Sequence, residues 1–239
     1  MNKKFKTIGI IGGAGPMASA LLYRKIIELC QQEYGASDDA DFPEIVLVSY
    51  PFSLMVDVKD SASNASTIIA ELQTCVDKLS AAGCQVVSIA CNTLHTYIND
   101  VDLYAMQFCS LIKTTQAEAQ TKSLKNILFL GTTTSRMNNI FATDAATIRY
   151  PSLELQEQVS NVINTVLKGD VSMQEPEVLV SVIKTMQLQS GCDGVVLGCT
   201  ELSIVYDAFP QILHNLSITI LDPLVIISHQ LINEAINKV

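Results

Sequence analysis

Apolar residues along this chain occur in short unbroken runs that alternate with longer stretches of helical periodicity. Thr7–Ile11, Ile45–Ser49 and Val86–Ala90 each read as a buried strand, whereas Pro16 to about Tyr34 and Ile68–Leu79 read as helices. Proline suits the first turn of the earlier helix. Strands that are apolar on both faces are typical of parallel sheets covered by helices. The pattern therefore predicts an α/β fold.

The pattern begins again in the second half of the chain. Lys125–Gly131 echoes Lys6–Gly12, and Val195–Gly198 echoes the strand before Cys91. This repetition predicts two similar Rossmann-like α/β domains with mainly parallel sheets. Parallel α/β sheets bind ligands beyond the carboxyl ends of their strands. We therefore expect the active site in a cleft between the two domains.

The end of the chain has no evident counterpart in the first half. A final strand, Ser217–Leu221, and the helix after Asp222-Pro223 are expected to return to the N-terminal domain. The predicted boundaries are 1–105 plus 212–239 for the N-terminal α/β domain and 106–211 for the second α/β domain.

Composition narrows the possible partners and the compartment. The chain has 239 residues, is 49% hydrophobic and carries a net charge of -9, so it can bury a large core but offers no basic patch for nucleic acid or an anionic membrane. Its seven cysteines lack the spacing of a disulfide scaffold, which favours a reduced, cytoplasmic protein. The glycines between residues 9 and 15, followed by Pro16, interrupt the only candidate for a signal peptide, and no apolar run is long enough to span a membrane.

Two cysteines stand in matching frames at the ends of apolar runs. Cys91 is followed by Asn92-Thr93, and Cys199 is followed by Thr200-Glu201. These polar residues are typical of helix starts, where a thiol is stabilised as a thiolate and becomes a base or nucleophile. The alternative is that both are ordinary buried residues, the interpretation we favour for Cys30, Cys75, Cys84, Cys109 and Cys192.

Two further motifs suggest cofactors, and neither is complete. Residues 13–18 fit the GxGxxA dinucleotide fingerprint, but the second strand ends without the acidic residue that would hold a ribose, so binding of a small anion is favoured. His95 follows Cys91 by one helical turn and could pair with it on a metal, but no CxxC or HxxxH spacing supplies further ligands. We expect no metal. His95 is better interpreted as a residue that positions Cys91 without contacting the substrate.

Four blocks of sequence together resemble the aspartate/glutamate racemase family, the cofactor-independent amino-acid racemases, and within it the aspartate racemase branch. They are GIIGGAGPMAS from Gly9, ACNTLH from Ala90, LGTTTS from Leu130 and VLGCTELS from Val196. Glu201 makes the chain more similar to aspartate racemases, or to a broader amino-acid racemase, because glutamate racemases usually have histidine at this position. The resemblance implies two α/β domains related by pseudo-symmetry, a homodimer, a small amino-acid substrate and no cofactor.

The same resemblance implies roles for individual residues. Cys91 and Cys199 would be the two acid/base residues of a two-base proton transfer, supported by His95 and Glu201. Substrate-binding positions would be Gly13, Asn92, Thr93, Gly131, Thr132 and Thr200.

The chain departs from the family where the substrate side chain is gripped. Aspartate racemases typically place an arginine after the second strand, whereas residues 50–59 contain none. Lys59 and Lys168 are the nearest cationic candidates, although lysine lacks the planar bidentate fork of arginine. For both lysines the alternative is a solvated surface charge. A broad-specificity or glutamate-type racemase, an isomerase or decarboxylase on the same scaffold, and a non-catalytic amino-acid sensor remain alternatives.

Overall fold

Two four-stranded sheets form the framework of the protein. The computed structural model describes residues 5–53 and 61–236, and every pair of neighbouring strands in them is parallel. The strands of the first sheet are β1 Ile8–Gly12, β2 Ile45–Ser49, β3 Val86–Ile89 and β4 Gln107–Phe108. Those of the second are β5 Asn126–Leu130, β6 Thr147–Arg149, β7 Gly194–Leu197 and β8 Thr219–Leu221. The predicted α/β architecture with parallel sheets is confirmed.

The two sheets share one topology. Their orders are β2-β1-β3-β4 and β6-β5-β7-β8, so in both the first and third strands of the set are central. Every residue of β1, β3 and β7 is buried. A strand covered on both faces needs apolar residues at successive positions, which is why these runs stood out in the sequence.

Helices occupy most of the connections. They are α1 Pro16–Gln32, α2 Ser61–Ala81, α3 Leu111–Thr121, α4 Thr133–Met137, α5 Leu153–Leu167, α6 Gln174–Ser190, α7 Thr200–Ala208, α8 Pro210–His214 and α9 Pro223–Ile236. Two 3₁₀ helices span Asp39–Asp41 and Thr93–Asp100. None of the helices within the described residues has the length and apolar character needed to cross a membrane.

One expected strand assignment is wrong. The strand predicted at Ser217–Leu221 was assigned to the N-terminal domain, but β8 pairs with β7 in the second sheet. It also has a counterpart, because β4 pairs with β3 in the same place in the first sheet. The strand β4 is only two residues long, too short for an alternating or continuous apolar pattern to reveal it.

The described residues form two compact units. One takes in the chain up to Thr114 together with the residues from Leu224 onward, and the other is Thr115–Pro223. Helix α9 therefore belongs to the first unit, where the Ala235 carbonyl accepts a hydrogen bond from the Lys6 amide at 2.9 Å.

Candidate active site

The first candidate half-site lies where β3 ends. Cys91 comes two residues after Ile89, the last residue of β3, and the 3₁₀ helix begins at Thr93. Cys91 is 9% exposed, and Asn92, Thr93 and His95 are also buried. The Ala90 amide donates to the Ile11 carbonyl at 2.9 Å, which fixes this strand end against β1. The structure thus brings the four residues of the CNTxH motif together in a buried turn.

His95 connects this turn to the start of helix α3. Its Nε2 accepts a hydrogen bond from the Leu111 amide at 3.1 Å, and its Nδ1 lies 2.8 Å from the Cys91 carbonyl oxygen. An amide can only donate, so Nε2 is unprotonated and the proton sits on Nδ1, donated to Cys91. Burial lowers the pKa of His95 from 6.5 to about 4, with the hydrogen bond to the Cys91 carbonyl acting weakly in the opposite direction. His95 is therefore a neutral support for the backbone of Cys91.

Gly13 has a steric reason to be glycine. Its φ is +104°, and a Cβ atom there would lie 2.0 Å from the Tyr50 carbonyl oxygen. The Gly13 amide donates to the Ser19 hydroxyl at 3.3 Å. The glycine loop consequently lets β1 and the segment after β2 approach closely, while its amide already has an acceptor within the protein. Lys59, the cationic candidate in the segment after β2, lies outside the described residues.

The second candidate half-site lies where β7 ends. Cys199 comes two residues after Leu197, and α7 begins at Thr200. Cys199 is 8% exposed, and Thr200 and Glu201 are buried. The Cys199 thiol donates a hydrogen bond to Oε2 of Glu201 at 2.8 Å. Glu201 lies in the first turn of α7, where the helix dipole favours a negative charge.

The glycine and threonine of the third block pack against this strand end. A Cβ atom on Gly198 would lie 2.3 Å from the Phe129 ring, and one on Gly131 would lie 3.0 Å from the Gly198 carbonyl oxygen. Both glycines are therefore required for close packing beside Cys199. The Thr132 hydroxyl accepts from the Ser135 amide at 3.1 Å and so caps α4.

Two supporting residues were missed by the sequence analysis. Buried Gln156 donates from Nε2 to the Gly131 carbonyl at 2.8 Å, and the Ser203 hydroxyl donates to Oδ1 of Asp222 at 2.7 Å. A signal for the glutamine was present, because it occupies the position in α5 that continues the buried stripe of Val159, Ile163 and Val166. A polar residue on such a stripe indicates a specific hydrogen-bond partner.

Lys168 is not brought to Cys199 within its unit. It directly follows Leu167, the last residue of α5, and it is exposed. The helix starts near Gly131, where Gln156 is bound, and rises by about 1.5 Å per residue, so Lys168 lies ~18 Å further along the axis. The proximity of Lys168 to the GCTE block in sequence does not become proximity in space.

Four of the other cysteines have the properties of structural residues. Burial raises the pKa of Cys75 to about 11 and that of Cys109 to about 12, and it also raises the pKa of Cys30 and Cys84. These side chains rest as thiols. No group of three or more histidine, cysteine or acidic side chains within the described residues is arranged to hold a metal ion.

The two strand ends are equivalent in register. Ile8 of β1 pairs with Val86 of β3, and Ile127 of β5 pairs with Gly194 of β7. Counted from these partners, Cys91 and Cys199 occupy the same position. The family model for Asp/Glu/hydantoin racemases matches residues 11–231, a span that includes both cysteines.

The chain belongs to the Asp/Glu/hydantoin racemase family.

Known members of this racemase family show how far the similarity extends. The chain is 24% identical over 206 residues to the broad-specificity amino-acid racemase RacX of Bacillus subtilis (strain 168), covering 84% of this chain and 87% of that protein. The aspartate racemase of Picrophilus torridus has the same fold, with a TM-score of 0.78, 22% identity and coverage of 96% and 94%. Glutamate racemase from Francisella tularensis subsp. tularensis SCHU S4 is more distant, with a TM-score of 0.63, 15% identity and coverage of 99% and 85%. The protein is accordingly an isomerase of the racemase type, and the aspartate-type branch is supported.

Proposed function

We propose that this racemase interconverts the enantiomers of an amino acid without a cofactor, with aspartate as the first candidate, by proton transfer between Cys91 and Cys199. The observation that carries the proposal is the equivalence of the two strand ends. Each presents a nearly buried thiol two residues beyond the third strand of its sheet. Two matched thiols suit a reaction in which one group removes a proton and another returns it.

The hydrogen bond between Cys199 and Glu201 suggests which thiol starts protonated. The Glu201 carboxylate, 2.8 Å from the Cys199 sulfur, accepts a hydrogen bond from the thiol. The same carboxylate would repel a thiolate. The first turn after Cys91 contains no acidic residue, whereas that after Cys199 contains Glu201. Cys199 is thus assigned as the resting thiol and Cys91 as the resting thiolate.

The proposed reaction follows from this assignment. The Cys91 thiolate removes the α-proton, and the electron pair of the broken C–H bond moves onto the substrate carboxylate as an enolate. The Cys199 thiol then donates its proton to the opposite face of the α-carbon. Cys91 ends as the thiol and Cys199 as the thiolate, and the reverse reaction starts from that state. The mechanism requires both sulfurs to reach one α-carbon, with Asn92, Thr93 and Thr200 as donors to the developing charge.

A broad-specificity racemase is the second candidate. Residues 50–59 lack the arginine expected to bind a side-chain carboxylate, and Lys168 lies far along α5 from Gly131. The similarity to the broad-specificity racemase of Bacillus subtilis favours the same alternative. A homodimer remains an expectation from the family resemblance, and a cytoplasmic location remains an expectation from the cysteine content. Sedimentation of the purified protein would test the first.

Incubation in heavy water would test the function. The protein is mixed separately with L-aspartate, L-glutamate and a panel of neutral and basic L-amino acids, and deuterium at Cα and the enantiomer ratio are followed by NMR and chiral chromatography. Deuteration with formation of D-aspartate is expected, and comparable rates across the panel would select the broad-specificity candidate. Binding without exchange for any amino acid would instead support a sensor and reject the racemase proposal.

A further inference from the structure

The two cysteine turns are followed by short helices that begin without a side-chain cap. The 3₁₀ helix Thr93–Asp100 follows Asn92, and α7 follows Cys199. Within the described residues, neither Asn92 nor Cys199 makes a capping hydrogen bond with its side chain. The first amides of a helix have no partner inside the helix, and an uncapped first turn is less stable. Each cysteine turn therefore depends on contacts made further along its helix.

The residue four positions after each cysteine makes such a contact. In the first unit this residue is His95, whose Nε2 accepts a hydrogen bond from the Leu111 amide at 3.1 Å. In the second unit it is Ser203, whose hydroxyl donates to Oδ1 of Asp222 at 2.7 Å. Both hydrogen bonds are buried. In each unit the cysteine turn is thereby bonded to the beginning of the helix that follows the next strand.

The two hydrogen bonds occupy equivalent places and run in opposite directions. Counted from the residues of β4 and β8 that pair with equivalent positions of β3 and β7, Leu111 begins α3 where Pro223 begins α9. Proline has no amide hydrogen, so the second unit cannot make the bond that Leu111 makes. The acceptor is instead the side chain of the preceding residue, Asp222. The donor is then Ser203, whereas His95 accepts.

Asp222 holds its carboxyl group in the interior of the second unit. Asp222 is 6% exposed, and Ser203 has no exposed surface. Burying a carboxylate is costly unless hydrogen bonds and nearby charges compensate for the loss of water. The Ser203 hydroxyl supplies one hydrogen bond, and α9, which begins directly after Asp222, supplies the positive end of a helix dipole. Burial raises the pKa of Tyr206, and the charge of Asp222 raises it further. Asp222 therefore acts on α7 at two neighbouring turns.

We propose that Asp222 is a positioning residue for Cys199 and that it acts through Ser203. The hydrogen bond to Ser203 holds the turn in which the Cys199 thiol donates to Glu201 at 2.8 Å, as His95 holds the turn in the first unit. A small displacement of a reacting group is enough to slow a reaction severely. The expected effect on racemisation rests on the proposed function, whereas the position of the thiol can be measured without it.

Alkylation by iodoacetamide tests the position of the thiol independently of activity. The rates at Cys199 and Cys91 are measured at pH 7 by mass spectrometry of the two peptides, and their ratio is compared between variants, because global unfolding exposes both thiols alike. Ser203→Ala and Asp222→Ala should each raise the ratio of Cys199 to Cys91 about threefold, since a loosened turn releases the thiol from Glu201. Asp222→Asn keeps an oxygen acceptor and should retain the native ratio.

Ser228→Ala is the matched control. Ser228 has no exposed surface either, and its hydroxyl donates to the Val225 carbonyl at 2.6 Å, but it lies in α9 rather than in α7. This variant should lose stability in urea unfolding as Ser203→Ala does and should keep the native alkylation ratio. The double change of Ser203 and Asp222 to alanine should raise the ratio no further than either single change, because all three variants lack the same hydrogen bond.

Racemisation kinetics supply the second measurement. Ser203→Ala and Asp222→Ala should each lower kcat about fivefold and change KM by less than about twofold, because the substrate still binds and one thiol is misplaced. If Asp222→Ala does not fold, Ser203→Ala and Asp222→Asn decide.

Three results would overturn the proposal: an unchanged alkylation ratio in folded Ser203→Ala, an equal rise of the ratio in Ser228→Ala or Asp222→Asn, or a raised KM with unchanged kcat. If no amino acid is racemised, the proposed function fails, and the alkylation ratio still decides whether Asp222 positions Cys199.

Discussion

The ends of β3 and β7 are equivalent in register and opposite in chemistry. At the first, a neutral histidine donates to the carbonyl of Cys91 and leaves the thiol outside that bond. At the second, the Glu201 carboxylate accepts from the thiol of Cys199 itself. The neighbouring histidine thus binds the backbone of Cys91, whereas the neighbouring glutamate binds the side chain of Cys199.

This difference matters because a two-base racemase needs its two acid/base groups in different protonation states. Racemisation treats two mirror-image substrates alike, but at any moment one group must hold a proton and the other must lack one. Two identical environments would leave that choice to chance. In the proposed mechanism, the residues at equivalent positions, neutral Thr93 and acidic Glu201, give the two thiols different starting states.

Removing either thiol should have the largest effect. Cys91→Ser and Cys199→Ser should each lower racemisation by about 10³-fold, while each remaining cysteine still exchanges the α-proton of one enantiomer. The two variants should therefore exchange opposite enantiomers in heavy water, as measured by NMR with L- and D-substrates. Cys84→Ala and Cys192→Ala, at matching positions before each strand, should retain activity. Exchange of the same enantiomer by both serine variants would contradict the two-base assignment.

Protonation of His95 should lower the stability of the protein at acidic pH. Its pKa is about 4 in the folded protein and 6.5 in the reference state, so the unfolded chain binds more protons between these values. Stability is then lost as pH falls from 6.5 to 4, by about 3 kcal/mol. Urea unfolding at pH 7.5, 5.5 and 4.5 measures this. His95→Gln should be less stable at pH 7.5 and should lose less on acidification than the native protein does.

Glu201→Gln should make the second strand end resemble the first. A neutral amide no longer repels a thiolate at Cys199, so alkylation of Cys199 by iodoacetamide at pH 7 should become about tenfold faster. Racemisation should fall by about tenfold because the resting proton is lost from one side. Mass spectrometry of the Cys199 peptide gives the rate, with the Cys91 peptide as internal reference. An unchanged alkylation rate would remove Glu201 from the proton assignment.

Replacing Ser203 should have the smallest effect of these changes. It occupies the position after Cys199 that His95 occupies after Cys91, and its bond to Asp222 is buried. Ser203→Ala should lower stability by about 1 kcal/mol. Unlike the effect at His95, this loss should be the same at pH 7.5 and pH 5.5 in urea unfolding, since serine does not titrate. A loss that grows on acidification would assign part of the pH dependence to Asp222.

The parts of the fold that could be read from the sequence are those buried on both faces. The central strands β1, β3 and β7 are short continuous apolar runs, and their length and the turn residues that flank them favour buried strands over helices. The edge strands β4 and β8 are two and three residues long. Their place is decided by pairing with a central strand, which local sequence does not encode, and the assignment of β8 failed for that reason.

The candidate site divides in a similar way. Residues adjacent in sequence to a strand end, such as Asn92 and Thr200, could be located because the strand carries them there. Lys168 and Gln156 lie on one helix at opposite ends, and only the direction of α5 decides which of them approaches Gly131. The hydrogen bond between Cys199 and Glu201 depends on side-chain rotamers, which spacing alone does not determine.

The division of the chain into units also bears on how it is made. The second unit is one continuous segment, Thr115–Pro223, whereas the first needs α9, which contacts Lys6 through Ala235. Domains fold as units during synthesis, when the N-terminal parts of a chain emerge first. The first strand of the first unit is therefore made before the second unit, and helix α9 is made after it. The second unit needs no residue from outside its own segment, whereas the first cannot be completed until residues on both sides of the second have been made.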